Sequence, residues 1–360
     1  MSGAPPILID EWQRHPPSWD LVRRAVDRSS HPGQFLLTSS ATPAERSTHS
    51  GAGRIVRLRV RPLTLPERGV GDATVSVGEL IGGRRPSLAG TSPLGLDDYV
   101  AEIVGGGFPG MRERVGRSRR AMLDGYLDRI VDTDLPELGV EIRRPGTLRR
   151  WLTAYAAATA TTTSYEKIRD AATAGETQKP AKTTTIPYRE ALERIWVLEP
   201  LAAWAPTNSP LSRLMSSPKH HLADPGLAAR LTGFGQGALL DGQGPTSIVR
   251  NGTFLGSLFE SLATLSLRVF AQPAEARVYH CRTRGGEHEI DVILERDDRS
   301  VVAFEVKLSE TVDDRDVQHL HWLKDRIGDL LIDAVVITTG RQAYRRADGI
   351  GVVPLGLLGP

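Results

Sequence analysis

Near the start of the chain, apolar residues come in short unbroken runs. Pro6-Ile7-Leu8-Ile9 ends abruptly in Asp10-Glu11, and Phe35-Leu36-Leu37 ends in Thr38-Ser39-Ser40. Runs of this length fit strands buried on both faces, as in a parallel sheet. Between them Trp19, Val22 and Val26 share one side of a helix predicted over 19–29, and Pro32-Gly33 marks a turn. Arg54 to Val60 (RIVRLRV) alternates and predicts a third strand. Strand, helix, strand with short links is half of an α/β unit built on a parallel sheet.

Residues 66–98 are rich in Gly, Pro and Ser and read as loops with little regular structure. Helical spacing returns over 117–134 (Met122, Tyr126, Ile130, Val131) and 149–161 (Trp151, Leu152, Tyr155). Residues 163–204 read as a helix-turn-helix: a helix over 164–174, a polar turn over 175–182, and a second helix over 187–198 with Tyr188, Ala191, Leu192, Ile195 and Trp196 on one face. Such a pair is either a nucleic-acid reader or two ordinary packed helices. Glycines over 235–250 suggest a linker. A new α/β pattern follows: a long apolar helix over 255–269, strands over 277–282, 287–294 and 301–306, a polar hairpin at 295–300, a helix over 312–327 and a buried strand over 332–338. The expected division is 1–98, 99–235 and 236–360.

Composition narrows the class. Lys+Arg is 45 and Asp+Glu 43, a net charge of +2, which excludes a polybasic nucleic-acid coat as the main theme. A hydrophobic share of 40% fits a globular protein rather than a disordered one. The lone cysteine, Cys281, excludes an internal disulfide framework. No apolar run is expected to approach the roughly 18–20 residues that cross a bilayer, and MSGAPPILIDEWQ lacks a signal-peptide pattern. The expectation is a cytoplasmic protein with no membrane partner. The basic residues are 39 Arg and 6 Lys, the first lysine being Lys167, so no chemistry that demands a lysine is housed before it.

Two sets of residues carry chemistry. In a nucleotide hydrolase, Asp10 at the C-terminal end of a buried strand would hold the magnesium of a bound triphosphate, and Glu11 would polarise the attacking water. The next strand ends in Thr38-Ser39-Ser40, hydroxyls able to orient that water, although a strand ending in an acidic turn is common. In the last third, Asp291 on one strand precedes Glu305-x-Lys307 on the next. Alternation puts Glu305 and Lys307 on one face, and the hairpin brings Asp291 alongside. Such carboxylates are candidate Mg²⁺ ligands, with Glu260 on the preceding helix as a further one, and Lys307 is placed to position or activate water. His280 and Cys281 are adjacent in a strand and point to opposite faces, against a zinc site with His288. Gln318, His319 and His321 on the following helix either approach this site or are solvent-facing or packing residues.

The order ILIDEWQRHP, LVRRAVD, FLLTSSATP, GRIVRLRVRPLTLPE resembles the bacterial and archaeal AAA-type ATPases that carry a winged helix and a C-terminal nuclease-like region of unknown function. The resemblance continues at Gly106-Gly107-Phe108-Pro109, Tyr126 to Asp134, Lys182-Thr183-Thr184, and Ser217-Pro218-Lys219 to Asp224-Pro225-Gly226-Leu227, nearly the whole chain. It implies that Asp10-Glu11 is the Walker B element, that Ser39 belongs to sensor 1, and that ATP and Mg²⁺ are the cofactors. The Asp291, Glu305-x-Lys307 set resembles the PD-(D/E)xK nuclease superfamily.

The fold class implied is α/β: a truncated P-loop-type AAA parallel sheet, then a winged-helix helical region, then a restriction-endonuclease-like α/β domain. One departure is large. Family members hold triphosphate on a glycine-rich loop ending in Gly-Lys-Ser/Thr, upstream of Walker B. This sequence has no such loop, and its Gly105-Gly106-Gly107 is followed by Phe-Pro. The chain resembles the family with its first part missing, and it is expected to hydrolyse ATP poorly or not at all. Its first strands are then expected to expose an apolar edge open to self-association or to a separate chain that supplies the missing half. The alternatives are a Mg²⁺-dependent nuclease and a non-enzymatic DNA- or protein-binding module.

Overall fold

The computed structural model describes residues 5–29, 31–40, 53–174, 182–206, 216–241 and 250–360. The turn expected over 175–182, apart from residue 182, and residues 242–249 of the linker expected over 235–250 lie outside the described residues. The chain is mixed α/β. It opens with β1 (Ile7–Ile9), α1 (Pro17–Arg28) and β2 (Phe35–Leu37). As expected, β1 and β2 pair in parallel, Ile9 opposite Leu37. Among the described residues they pair only with each other, so the strands are not buried on both faces: Leu8 is 60% exposed and Leu36 57% exposed. Pro17 opens α1, Val22 is buried, and Trp19 stacks on Trp12 with ring centroids 4.7 Å apart.

RIVRLRV is extended, as its alternation suggests, but it is not a strand. Its charged side does the packing. Arg59 lies over the Trp196 ring at 4.2 Å, and Arg59 and Arg61 both reach the Glu199 carboxylate, at 2.9 and 2.8 Å. Val56, Leu58 and Val60 on the other side face solvent. Residues 66–98, expected as loops, instead contribute to the core. They hold β3 (Val75–Ser76) and α2 (Val77–Ile81), and Val75, Val77, Leu80 and Ile81 are buried. Their apolar residues are interrupted by Gly and Pro, so no periodicity spans a window long enough to read.

A helical region follows: α3 (Leu96–Gly105), α4 (Pro109–Arg112), α5 (Gly116–Arg129), α6 (Leu135–Glu137), α7 (Pro145–Ala157), α8 (Tyr165–Ala172) and α9 (Lys182–Arg194). The Ser164 hydroxyl caps α8 by accepting the Lys167 N–H. Trp151, Leu152, Tyr155, Ile168, Tyr188 and Leu192 bury their apolar faces together, so both expected helices pack in this core, but the second runs Lys182–Arg194 rather than 187–198 and Trp196 lies beyond its end. After α9 come β4 (Ala203–Trp204), α10 (Pro225–Leu231) and α11 (Gln236–Leu240).

The last third is built on α12 (Arg250–Ala271), β5 (Arg277–Arg282), β6 (Glu289–Glu295), β7 (Val301–Val306), α13 (Gln318–Ile327), β8 (Leu331–Thr338), β9 (Tyr344–Arg345), β10 (Gly351–Pro354) and β11 (Leu358–Gly359). Among the described residues, seven strands form one sheet in the order β4-β5-β6-β7-β8-β10-β9. β7, β8 and β10 are parallel, while β5, β6 and β7 are antiparallel neighbours. Alternation decides the packing: Val302 and Phe304 face the core shared with α12, and Val301 and Ala303 face the core shared with α13. Strand pairing crosses the expected boundaries, since β4 joins β5 and β3 joins β11. One sequence reading needs correction. Phe254–Ala271 is long and apolar enough to span a bilayer by length and composition; it is α12, and 72% of that stretch is buried inside the protein.

Candidate functional site

The first candidate site grows from the β1–β2 pair. Parallel pairing in register carries the ends of both strands to the same edge, so Asp10-Glu11 and Thr38-Ser39-Ser40 meet there. The Thr38 hydroxyl donates to the Asp10 carboxylate and accepts the Glu11 N–H at 3.3 Å. The Ser40 hydroxyl donates to Glu11 Oε2 at 3.0 Å, and the Gln13 side-chain amide donates to the same oxygen. Ser39 lies between the two residues that make these bonds. Glu11 adopts φ 48°, ψ 45°, a left-handed conformation uncommon outside glycine. Asp10 is exposed and Glu11 half-buried. One carboxylate flanked by hydroxyls suits a magnesium ion that keeps its waters and takes its remaining ligands from phosphates.

The glycine triplet has another duty. Gly107 N–H donates to Asp224 Oδ2 at 2.6 Å, and a Cβ on Gly107 would come within 2.6 Å of the Leu63 carbonyl oxygen. Asp224 also caps α10 through the Gly226 N–H at 2.7 Å. Arg68, with a fully buried side chain, ties Leu63, Glu102 and Asp224 together. Gly105–Gly107 is therefore a close-packing joint between helices.

The second candidate site sits where β6 and β7 meet α12. Asp291 on β6, Glu305 and Lys307 at the end of β7, and Glu260 on α12 converge as the sequence suggests. Lys307 Nζ is 3.1 Å from Glu305 Oε2, and the Val306 N–H donates to Asp291 Oδ2 at 2.9 Å. Two residues of this centre escaped the sequence reading as site residues. Lys219 Nζ lies 2.8 Å from Glu260 Oε1, 2.9 Å from Glu289 Oε1 and 3.0 Å from Asp291 Oδ1. Lys219 was visible only as one of six lysines within a quoted motif. Its three acidic partners lie 41 to 72 positions away in the chain, a distance that spacing cannot bridge.

Burial shapes the protonation states. Burial pushes the Glu260 carboxyl up to about 8, with the neighbouring Asp291 charge adding to the effect. Burial likewise raises Glu305 well above the carboxylate range, again helped by Asp291. Asp291 goes the other way: against burial, Lys219 and Lys307 hold it below its usual value. For Lys219, burial alone would favour the neutral amine, but Glu260, Asp291 and Glu289 together raise its pKa well above 10.5. Glu305 Oε1 is buried without a hydrogen-bond partner.

The metal ligands expected from the sequence, Asp10, Glu260, Asp291 and Glu305, are thus split. Asp10 belongs to the first site. Glu260 and Asp291 direct oxygens at an ammonium, and among the described residues no three His, Cys, Asp or Glu side chains are placed to hold a metal ion. The residues present do not fit Mg²⁺ at the focus that Lys219 fills. Nearby, His288 and His319 bring their Nδ1 atoms to 3.3 Å, and His288 stacks on Trp322. His321 pairs with Asp348 at 3.2 Å. His280 meets the Ser217 carbonyl oxygen, while Cys281 is buried in the core against α13, so the two do not form a zinc pair.

Comparison with known proteins supplies relatives without an assigned activity. Residues 96–238 match a family profile described as "Domain of unknown function (DUF8612)", and residues 255–358 match "Domain of unknown function (DUF4143)". Uncharacterized proteins of Mycobacterium bovis and Mycobacterium tuberculosis are each 27% identical over 307 residues, 85% of this chain. The match spans 59% of the length of those relatives. No solved structure matches. The chain is thus similar, over most of its length, to longer mycobacterial proteins, and two parts of it match domain families of unassigned function.

Proposed function

We propose that this chain is an AAA-type ATP-binding protein in which Asp10, Glu11 and Ser39 make up the Walker B and sensor 1 side of a nucleotide site. The observation that carries this reading is the acidic pair at the C-terminal ends of two adjacent parallel strands, bonded to the hydroxyls of Thr38 and Ser40. In open parallel sheets ligands bind outside those strand ends. Asp10 would take a place in the coordination of the Mg²⁺ carried by ATP. Glu11 would polarise a water held by the hydroxyls of the second strand. The sequence contains no Gly-Lys-Ser/Thr phosphate loop, so nucleotide binding is weak and turnover is at background.

Titration with Mg²⁺-ATP, read by calorimetry, tests the reading. Measurable binding that needs Mg²⁺ and is lost in Asp10→Asn supports it. Binding that is absent, or that is indifferent to Asp10, sinks it. Robust turnover abolished by Glu11→Gln would keep the site and overturn its silence.

The convergence of Asp291, Glu305, Lys307 and Glu260 favours a second reading, a nuclease-like fold for the last third, with DNA as the candidate ligand. Salt-sensitive binding of a duplex, weakening as ionic strength rises, is its direct measurement.

A further inference from the structure

We propose that Lys219 is a built-in cation that fills the focus of the C-terminal acidic centre and keeps divalent metal out of it, so that this centre does not support metal-dependent phosphodiester cleavage. The proposal is independent of the nucleotide site at Asp10.

The ammonium is fully engaged. A lysine has three N–H donors, and three carboxylates, from Glu260, Glu289 and Asp291, each offer it an oxygen within 3.0 Å. Two of these three, Glu260 and Asp291, are the groups that a metal at this position would need. Magnesium binds oxygens at about 2.0–2.1 Å and demands near-octahedral geometry. The same oxygens cannot serve both cations, and two positive charges within a few ångströms repel strongly in a buried site.

Lys219 is also held from behind. Its backbone exchanges both hydrogen bonds with Leu201, at 2.9 and 2.8 Å. On the next residue, His220 N–H donates to the Thr161 carbonyl and the His220 carbonyl accepts from Ala160 N–H, at 2.9 and 2.8 Å. Five residues after Lys219, Asp224 locks the segment onto Gly226 and Gly107. The side chain has no exposed surface. A surface lysine could swing aside for an arriving metal; this one is fixed at its root and buried to its tip.

Charge accounting agrees with a closed centre. Lys307 takes Glu305 Oε2, Arg282 takes Glu289 Oε2 at 2.8 Å, and Val306 N–H takes the second oxygen of Asp291. Among the described residues Glu305 Oε1 is buried without a hydrogen-bond partner, and the burial of Glu305 favours its neutral form, a poor metal ligand.

Mn²⁺ is the probe, followed by electron paramagnetic resonance of the full chain carrying Asp10→Asn and Glu11→Gln, which silences the first site. The expected result is no bound Mn²⁺ at millimolar metal. Adding Lys219→Met is expected to create one Mn²⁺ site and a melting temperature that rises with Mn²⁺. A bound ion in the protein with Lys219 intact, lost on Glu260→Gln or Asp291→Asn, overturns the proposal. So does a folded Lys219→Met protein that takes up no Mn²⁺. If Lys219→Met does not fold, the protein with Lys219 intact still decides: no bound Mn²⁺ sustains the proposal. Plasmid nicking that needs Mg²⁺ and disappears in Glu305→Ala also overturns it.

Discussion

The molecule carries two acidic sites on two sheets, and they are opposites in environment. At the first, Asp10 is exposed, its neighbours are hydroxyls, and the sheet beneath it is a two-stranded pair with Leu8 and Leu36 facing outward. At the second, four carboxylates and two lysines are packed between a long helix and a sheet of seven described strands, and Glu305 is 2% exposed. A water-facing carboxylate is free to join a ligand at little cost. A buried one must be paired, protonated or both, because an isolated charge in a low-dielectric interior is far too costly. The first site is therefore open for binding, while the second has already met its electrostatic needs from within the chain.

The largest effect that would break this contrast is at Lys219. Lys219→Ala removes the counter-charge of three carboxylates and is expected to cost about 3–5 kcal/mol at neutral pH, read by urea unfolding. A loss below about 1 kcal/mol would mean that the centre is wetter than its geometry indicates. Next comes the pH dependence. The Glu260 carboxyl has a folded pKa of about 8, above its ordinary value of 4.5. Between those values the folded state keeps a proton that the unfolded state has lost. Stability from this group is therefore full below about pH 4.5 and falls as pH rises through 8. Glu260→Gln should flatten that fall in denaturation series run from pH 5 to 9; an unchanged slope would assign the proton elsewhere. Asp291, held below the usual range, acts oppositely, adding stability that disappears only in acid.

The smallest effects belong to the first site. Asp10→Asn should change unfolding stability by no more than about 0.5 kcal/mol, since surface substitutions away from buried networks rarely do more. Its signature is lost Mg²⁺-ATP binding, so the comparison sharpens if function and stability separate there and coincide at Lys219. Leu8→Lys with Leu36→Lys should leave the fold intact and reduce any self-association seen by sedimentation, because the pair removes an exposed apolar face. Unaltered association would place the contact elsewhere, with Val56, Leu58 and Val60 as the next exposed apolar row.

Much of the last third was legible along the chain. Strands expected over 277–282, 287–294 and 301–306 and the helix over 255–269 stand out because their apolar residues recur at the period of the element they form, and the middle strand is observed at Glu289–Glu295. Glu305 and Lys307 could be placed on one face by alternation alone. Residues 66–98 were illegible for the opposite reason: Val75, Val77, Leu80 and Ile81 reach the core from elements only a few residues long. RIVRLRV misled because alternation reports an extended backbone, not which face packs. Here the arginines pack on Glu199 and Trp196, and the aliphatic residues are left outside.

By itself the sequence determined which acids end strands, that Asp291 and the Glu305-x-Lys307 pair fall on neighbouring strands, and that Asp10-Glu11 follows an apolar run. These are local consequences of periodicity and of polar residues terminating buried segments. Only the tertiary structure decided what each acid faces. Lys219 arrives from a distant segment bridged to Leu201, beyond the reach of any spacing rule, because side-chain pairing across the fold depends on how elements pack and not on how far apart they lie along the chain.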